Sequence, residues 1–377
     1  MSDLFLGIMS GTSLDGIDVA LSRFDEKNVV LISFYSMPFQ TELRAQLLEL
    51  ATARMVEMDA LVQTHFTLAK EYERAVHSTL QEAKLLPKDI RAIGLHGQTV
   101  RHLTPPPHQA TLQLGSGSAL AARSGIDVVS DFRSADIALG GQGAPLMPMF
   151  DSYFLRSDSV DRLILNIGGI ANVTWLKRNA REEDVIAFDT GPGNMLLDSI
   201  ARRYFDLEFD TNGEISRGGT INQELLSDLL SNPYFTHPPP KSTGRELFSE
   251  AMLQGIHHRI AAETLRPADA LATLTEVTAR SIAQSLQWTQ SKSERTEIIV
   301  SGGGAFNPFL LERLAMNLPK ACRIVTSAEY GIPPKAKEAV AFAFFAKAFL
   351  DDLPIHLPST TGATRRAILG SLSKGVR

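Results

Sequence analysis

Gly7-Ile-Met-Ser-Gly-Thr-Ser-Leu-Asp-Gly-Ile-Asp18 is the stretch on which the fold of this chain turns. Its glycines, Gly7, Gly11 and Gly16, free the backbone to bend tightly. Among them stand the hydroxyls of Ser10, Thr12 and Ser13 and the acids Asp15 and Asp18. A turn of this composition can wrap phosphate groups with N–H and O–H donors. Its carboxylates can hold Mg2+ directly or through the ion's water. A tight β-hairpin with Asp-Gly at its tip is the competing reading, although a hairpin alone does not require three hydroxyls so close together.

Outward from this turn, the apolar run Leu4-Ile8 and the alternating run Ile17-Arg23 read as strands, and Val29-Met37 reads as a third after the polar turn Asp25-Asn28. Two helical stretches follow, Glu42-Met58 and Asp59-Lys84, the second with Leu61, His65, Leu68 and Tyr72 at helical spacing. Strands are expected at Ile90-Leu95 and Ile126-Ser130, with a short helix at Ser118-Arg123 before the latter. A second meander is expected at Arg162-Ile167, Ile170-Leu176 and Asp184-Phe188, leading into a helix at Asn194-Tyr204. The two opening hairpins, LFLGIMSGTSLDGIDVAL and LILNIGGIANVTWL, share one plan, and the order of elements after each repeats. The chain therefore reads as a duplicated α/β unit. Later elements are expected at Ala268-Gln290 (helix), Glu297-Ser301 (strand), Pro308-Met316 (helix), Arg323-Thr326 (strand) and Lys335-Leu350 (helix). Gly140, Gly141 and Gly143 loosen the chain near Ala135-Gln142, which places the lobes at 1–138 and 139–350, with the tail 351–377 packing back on the first. Thr104-His108 reads as an extended proline loop and Asn232-Gly244 as a surface excursion or flap.

Length and composition narrow the function. With 377 residues, 44% hydrophobic and 21% charged, the chain can build two cores. A net charge of -5 without a dense basic run gives no general attraction to nucleic acid or anionic lipid. The single cysteine, Cys322, excludes an internal disulfide and a cysteine zinc cluster. Met1-Ser10 has no basic region followed by a long apolar core, and Ala339-Leu350, broken by Lys347, falls short of the roughly 18 residues that span a bilayer. A cytoplasmic location with no membrane or nucleic-acid partner is the expectation.

Three more stretches carry candidate chemistry. Asn166, Gly168 and Gly169 lie in a second glycine turn suited to phosphate, with an ordinary glycine-pair turn as the competing reading. Gly302, Gly303 and Gly304 end an apolar strand before a helix, which suits close approach to adenine or ribose, or else forms a flexible loop. Phe188-Asp-Thr-Gly-Pro-Gly-Asn194 exposes Asp189 as a candidate general base, and a structural cap on the following helix is the other reading. No Walker A loop and no G-x-G-x-x-G opening a helix occurs. Ser13 sits in G-x-S-x-D and not in the G-x-S-x-G of a nucleophile elbow, so a serine hydrolase is a poor second choice. His96 and His102 lack the usual spacing of metal ligands.

The blocks GIMSGTSLDGIDVAL, GLHGQTVRH, DVVSDFR, GGQGAPL, LNIGGIANVT, FDTGPGNMLLD, KSTGRE, SGGGAFN and EYGIPP resemble those of the anhydro-N-acetylmuramic acid kinases over nearly the whole chain. The resemblance implies a two-lobed, actin-like (ribonuclease H-like) fold with ATP in an interdomain cleft. It implies a transferase that hydrolyses a 1,6-anhydro bond and phosphorylates oxygen 6 with ATP and Mg2+ during peptidoglycan recycling. Gly11, Thr12, Ser13, Leu14, Asp15, Gly16, Ile17 and Asp18 would then bind ATP, with Asp15 and Asp18 toward the metal, and Asp189 would be the base. His96, Gln98, Arg133 and Glu329 are weaker candidates for sugar contact, Arg133 through the lactyl carboxylate. Another sugar or small-acid kinase of the same fold, or a non-catalytic nucleotide switch, are the rival readings. The oligomeric state stays open, a homodimer included.

Overall fold

A computed structural model describes residues 3–25, 28–103, 108–179, 181–244, 247–248, 250–289, 295–354 and 356–376. Positions 26–27 of the first polar turn, 104–107 of the proline loop and 245–246 of the KSTGRE block lie outside them. The described strands are β1 (Leu4–Ser10), β2 (Gly16–Phe24), β3 (Val29–Pro38), β4 (Ile90–Leu103), β5 (Ala110–Leu114), β6 (Val128–Ser130), β7 (Asp161–Ile167), β8 (Ile170–Leu176), β9 (Ile186–Pro192), β10 (Thr296–Ser301), β11 (Cys322–Thr326) and β12 (Ser371–Ser373).

Two compact units form, one from 1–154 with 336–377 and the other from 155–335. In the first, the sheet runs β12-β6-β4-β1-β2-β3, with β5 pairing with β4. β1, β2 and β3 form an antiparallel meander, and β4 and β6 add to it in parallel. In the second, the order is β11-β10-β7-β8-β9, again an antiparallel meander extended by two parallel strands. The shared order and directions make the duplication a property of the fold. Among the described residues, no helix is long and apolar enough to cross a membrane.

β1 is buried along most of its length, as expected for a central strand covered on both faces. Leu6 and Ile8 join a core with Leu68, Tyr72 and Val76 of the helix Met58–Ala83. Gly7, between them, faces the opposite side. There the helix Lys337–Leu350 comes so close that a Cβ on Gly7 would lie 1.9 Å from the Ala339 carbonyl oxygen. Gly94 on β4 meets the same helix, with a Cβ falling 1.8 Å from the Phe342 carbonyl oxygen.

The boundaries expected at 138 and 350 are therefore corrected. The segment beyond Leu139 stays with the first unit, where Phe150 and Phe154 of the helix Met147–Leu155 pack against Phe344, and Phe154 against Phe24. Lys337–Leu350 belongs there too, although it is distant in sequence. β4 runs on to Leu103, beyond the expected Leu95, and pairs with the unexpected β5. β9 extends past Phe188 to Pro192, and a register shift next to Asn172 marks a bulge beside Asp189.

Candidate functional site

In the first unit, the turn after β1 is fastened from several sides. Leu14 N–H donates to the Gly11 carbonyl at 3.2 Å, and Leu14 itself takes a left-handed φ of 58°. Gln98 Nε2 donates to the same Gly11 oxygen at 3.0 Å, and Arg44 Nε to the Leu14 oxygen at 3.0 Å. Thr12 and Ser13 sit exposed on the outer rim. Ser13 Oγ donates to Asp15 Oδ1 at 2.7 Å, and Ser36 Oγ to Asp18 Oδ1 at 2.6 Å.

His96 stands on β4 two residues before Gln98, and Arg133 Nη2 reaches its Nε2 at 2.7 Å. Nη1 donates to the Gly143 carbonyl at 2.6 Å. Burial pushes the His96 ring down to about 3, the Arg133 charge adding to the effect, so the imidazole is neutral and accepts at Nε2. Arg133 is lowered to about 10 by burial against the pull of Glu338 and Asp136, and stays charged at neutral pH. Arg133 Nε and Gln98 Oε1 are buried and find no hydrogen-bond partner among the described residues. Such atoms are costly unless a ligand satisfies them.

The depressed His96 value has a measurable consequence. Below about pH 6.5 the unfolded chain takes up a proton at this residue, and the folded chain does so only near 3. Stability is therefore fully present above the unfolded value and falls as pH drops through this window, by up to about 1.4 kcal/mol per unit for one group. Urea midpoints between pH 7 and 4.5 should fall less steeply in His96→Asn than in the parent. Parallel slopes would show that His96 is not buried neutral.

In the second unit, three turns stack closely. Gly193 N–H donates to Gly169 O at 2.9 Å and Asn194 N–H to Gly168 O at 2.8 Å. A Cβ would lie 2.3 Å from Gly168 O at Gly193, 2.6 Å from Asn166 Oδ1 at Gly302 and 2.4 Å from Ile167 Cγ2 at Gly304. Packing alone explains these glycines. It does not explain Gly168, Gly169 or Gly303, where an added Cβ would make only ordinary contacts, none closer than 3.5 Å.

Asp189 is held by the segment expected as a flap. Its N–H donates to Lys241 O at 3.2 Å, its carbonyl accepts from Tyr234 Oη at 2.8 Å, and its Oδ2 accepts from Thr243 N–H at 2.9 Å. The helix Met195–Phe205 is preceded by Asn194, without a side-chain cap, so Asp189 does not cap it. Lys241 Nζ bonds to Tyr234 O at 2.9 Å and lies 4.6 Å from the centre of the Tyr234 ring. Burial lowers the Lys241 pKa, against the pull of Asp189. Tyr234, Lys241 and Thr243 were not singled out as site residues from the sequence. The only signal was the membership of Lys241 and Thr243 in the KSTGRE block.

A family model described as anhydro-N-acetylmuramic acid kinase matches residues 3–375. The chain belongs to the anhydro-N-acetylmuramic acid kinase family. It is 43% identical over 371 residues to the anhydro-N-acetylmuramic acid kinase of Coxiella burnetii (strain RSA 493 / Nine Mile phase I), covering 98% of this chain and 97% of that protein. It is 42% identical over 372 residues to the one from Saccharophagus degradans, covering 98% of each. Among solved structures it is similar to the activator of the 2-hydroxyisocaproyl-CoA dehydratase from Clostridium difficile with bound ADPNP, at 12% identity and TM-score 0.49 over 93% of this chain and 98% of that one.

In this anhydro-N-acetylmuramic acid kinase family member, His96, Gln98 and Arg133 meet beside the Gly11 turn of the first unit. Glu329 lies in the second unit on the turn Ser327–Tyr330, where Arg323 Nη2 pairs with it at 3.1 Å. Among the described residues, no three or more His, Cys, Asp or Glu side chains converge as a metal site. Asp15 and Asp18 fit a different arrangement, because Mg2+ takes one or two carboxylates and completes its shell with water and phosphate oxygens.

Proposed function

We propose that the chain uses ATP to phosphorylate O6 of 1,6-anhydro-N-acetylmuramic acid as water opens the anhydro bond, giving N-acetylmuramic acid 6-phosphate and ADP. Asp189 is the base. The observation that carries this role is its carboxylate, fixed at Oδ2 by the Thr243 N–H and fastened by its backbone to Lys241 and Tyr234. A carboxylate held in one orientation can take a proton from water as it attacks the anomeric carbon. The bond from that carbon to O6 breaks, O6 bonds to the γ-phosphorus, and ADP leaves with the electrons of the cleaved phosphoanhydride. An ordinary glycosidase needs a second carboxylic acid to protonate its leaving oxygen. Here the phosphoryl group takes that oxygen, so a single carboxylate suffices.

The exposed rim at Thr12 and Ser13, and the turn of Gly168 and Gly169 whose missing side chains packing does not require, suit the ATP phosphates. Gly303 suits the adenosine on the same ground. Asp15 and Asp18 would hold Mg2+, which offsets charge on the phosphates when bound. Arg133 Nε, a buried donor without an acceptor among the described residues, suits the lactyl carboxylate. His96, Gln98 and Glu329 are assigned to the remaining sugar contacts.

Turnover in 18O-labelled water tests the reaction. Label is expected in the C1 hydroxyl of the product and not in its phosphate. Unlabelled C1 would replace this reading with a kinase that acts on a pre-existing hydroxyl.

A further inference from the structure

The Asp136–His356 pair takes no part in the reaction above, yet it is among the most deeply buried polar pairs of the first unit, at 0% and 1% exposure. Asp136 Oδ1 meets His356 Nε2, and Oδ2 accepts from Gly143 N–H at 2.5 Å. Burial pushes the Asp136 carboxyl up, but hydrogen bonds from His356, Thr361 and the Gly143 N–H outweigh it and hold the group below the usual carboxylate range. The Gly143 carbonyl, in the same short loop, accepts from Arg133 Nη1 at 2.6 Å. A continuous line of bonds therefore runs from His356 through Asp136 and Gly143 to Arg133, and on to His96.

The loop has no slack. Gly141 N–H donates to Asp136 O at 2.9 Å, Gln142 N–H to Thr361 O at 2.9 Å, and Thr364 N–H to Leu139 O at 3.0 Å. A Cβ on Gly141 would fall 2.2 Å from Asp136 Oδ2. A buried, hydrogen-bonded polar pair adds little net stability compared with apolar side chains of the same volume. What such a pair can supply is a fixed geometry.

We infer that Asp136 and His356 are positioning residues for Arg133: their pair holds the Gly143 N–H, and across the Gly143 Cα, at a left-handed φ of 70°, the carbonyl of the same residue aims the guanidinium at the carboxylate of the sugar. This rests on the assignment of Arg133 to sugar contact.

Steady-state kinetics of the full chain with the anhydro sugar and ATP test it. Asp136→Asn, His356→Gln and Gly141→Ala should each raise the KM for the sugar about tenfold, with kcat and the KM for ATP within about twofold of the parent. A role only in folding would lower active enzyme and kcat without moving the sugar KM alone. Arg133→Lys should raise the sugar KM at least as much, and the double variant Asp136→Asn with Arg133→Lys should be no worse than Arg133→Lys, since residues acting through one another do not add. Should Asp136→Asn fail to fold, His356→Gln and its double variant carry the same test. An unchanged sugar KM in Arg133→Lys overturns the assignment of Arg133 and this inference together. A raised KM there, with an unchanged KM in Asp136→Asn and His356→Gln, overturns the inference alone, as does an additive double variant.

Discussion

Asp189→Asn should lower kcat by about 10²–10⁴-fold, roughly 3–5 kcal/mol of barrier, while leaving ATP affinity near that of the parent. The substitution suits its purpose because the amide oxygen can still accept from Thr243 N–H. The backbone bonds to Lys241 and Tyr234 involve no side-chain atom of residue 189. The site therefore keeps these three bonds while losing the carboxylate that accepts a proton. Single-turnover measurement with saturating ATP and anhydro sugar separates this loss from any change in product release. Turnover within about twofold of the parent would remove Asp189 from the mechanism.

Gly94→Ala should destabilise the protein by about 3 kcal/mol, the upper end of the usual cost of overpacking. The added Cβ falls 1.8 Å from the Phe342 oxygen and 2.6 Å from its carbonyl carbon. These are backbone atoms inside a helix, so no rotamer change can relieve the clash. The helix Lys337–Leu350 must shift, and its Phe342, Phe344 and Phe345 are all buried. Gly255→Ala provides the control, since nothing lies within 4 Å of that Cβ and alanine favours the helix Glu250–Ala261 by about 1 kcal/mol. A denaturation midpoint for Gly94→Ala equal to that of Gly255→Ala would refute the close packing described for this face.

Both meanders were legible because their strands alternate apolar and polar residues or run apolar between glycine turns, signals that are local in sequence. The second half of β4, His96 to Leu103, is not legible as strand because it carries polar and charged residues that serve the Gly11 turn and pair with β5. The helix Lys337–Leu350 is legible as a helix from its sequence, but its unit is not, because no local pattern says which sheet an apolar helix will cover. The same divide runs through the candidate site. Asp189 stood out by its setting among glycines. Thr243 and Lys241 bind it through main-chain atoms, which leave no residue-type signature. Asp136 and His356, 220 positions apart, could be joined only by the fold.

The route of the chain also constrains its synthesis. Residues 155–335 are contiguous, whereas the first unit is completed only by Ala336–Arg377. Until the helix Lys337–Leu350 is made, the face of β1 and β4 bearing Gly7 and Gly94 lacks the helix that covers it. Until then the nascent chain carries an uncovered sheet face, the condition under which chaperone binding and aggregation compete with folding. Of the two units, the one that starts earlier along the chain is completed later.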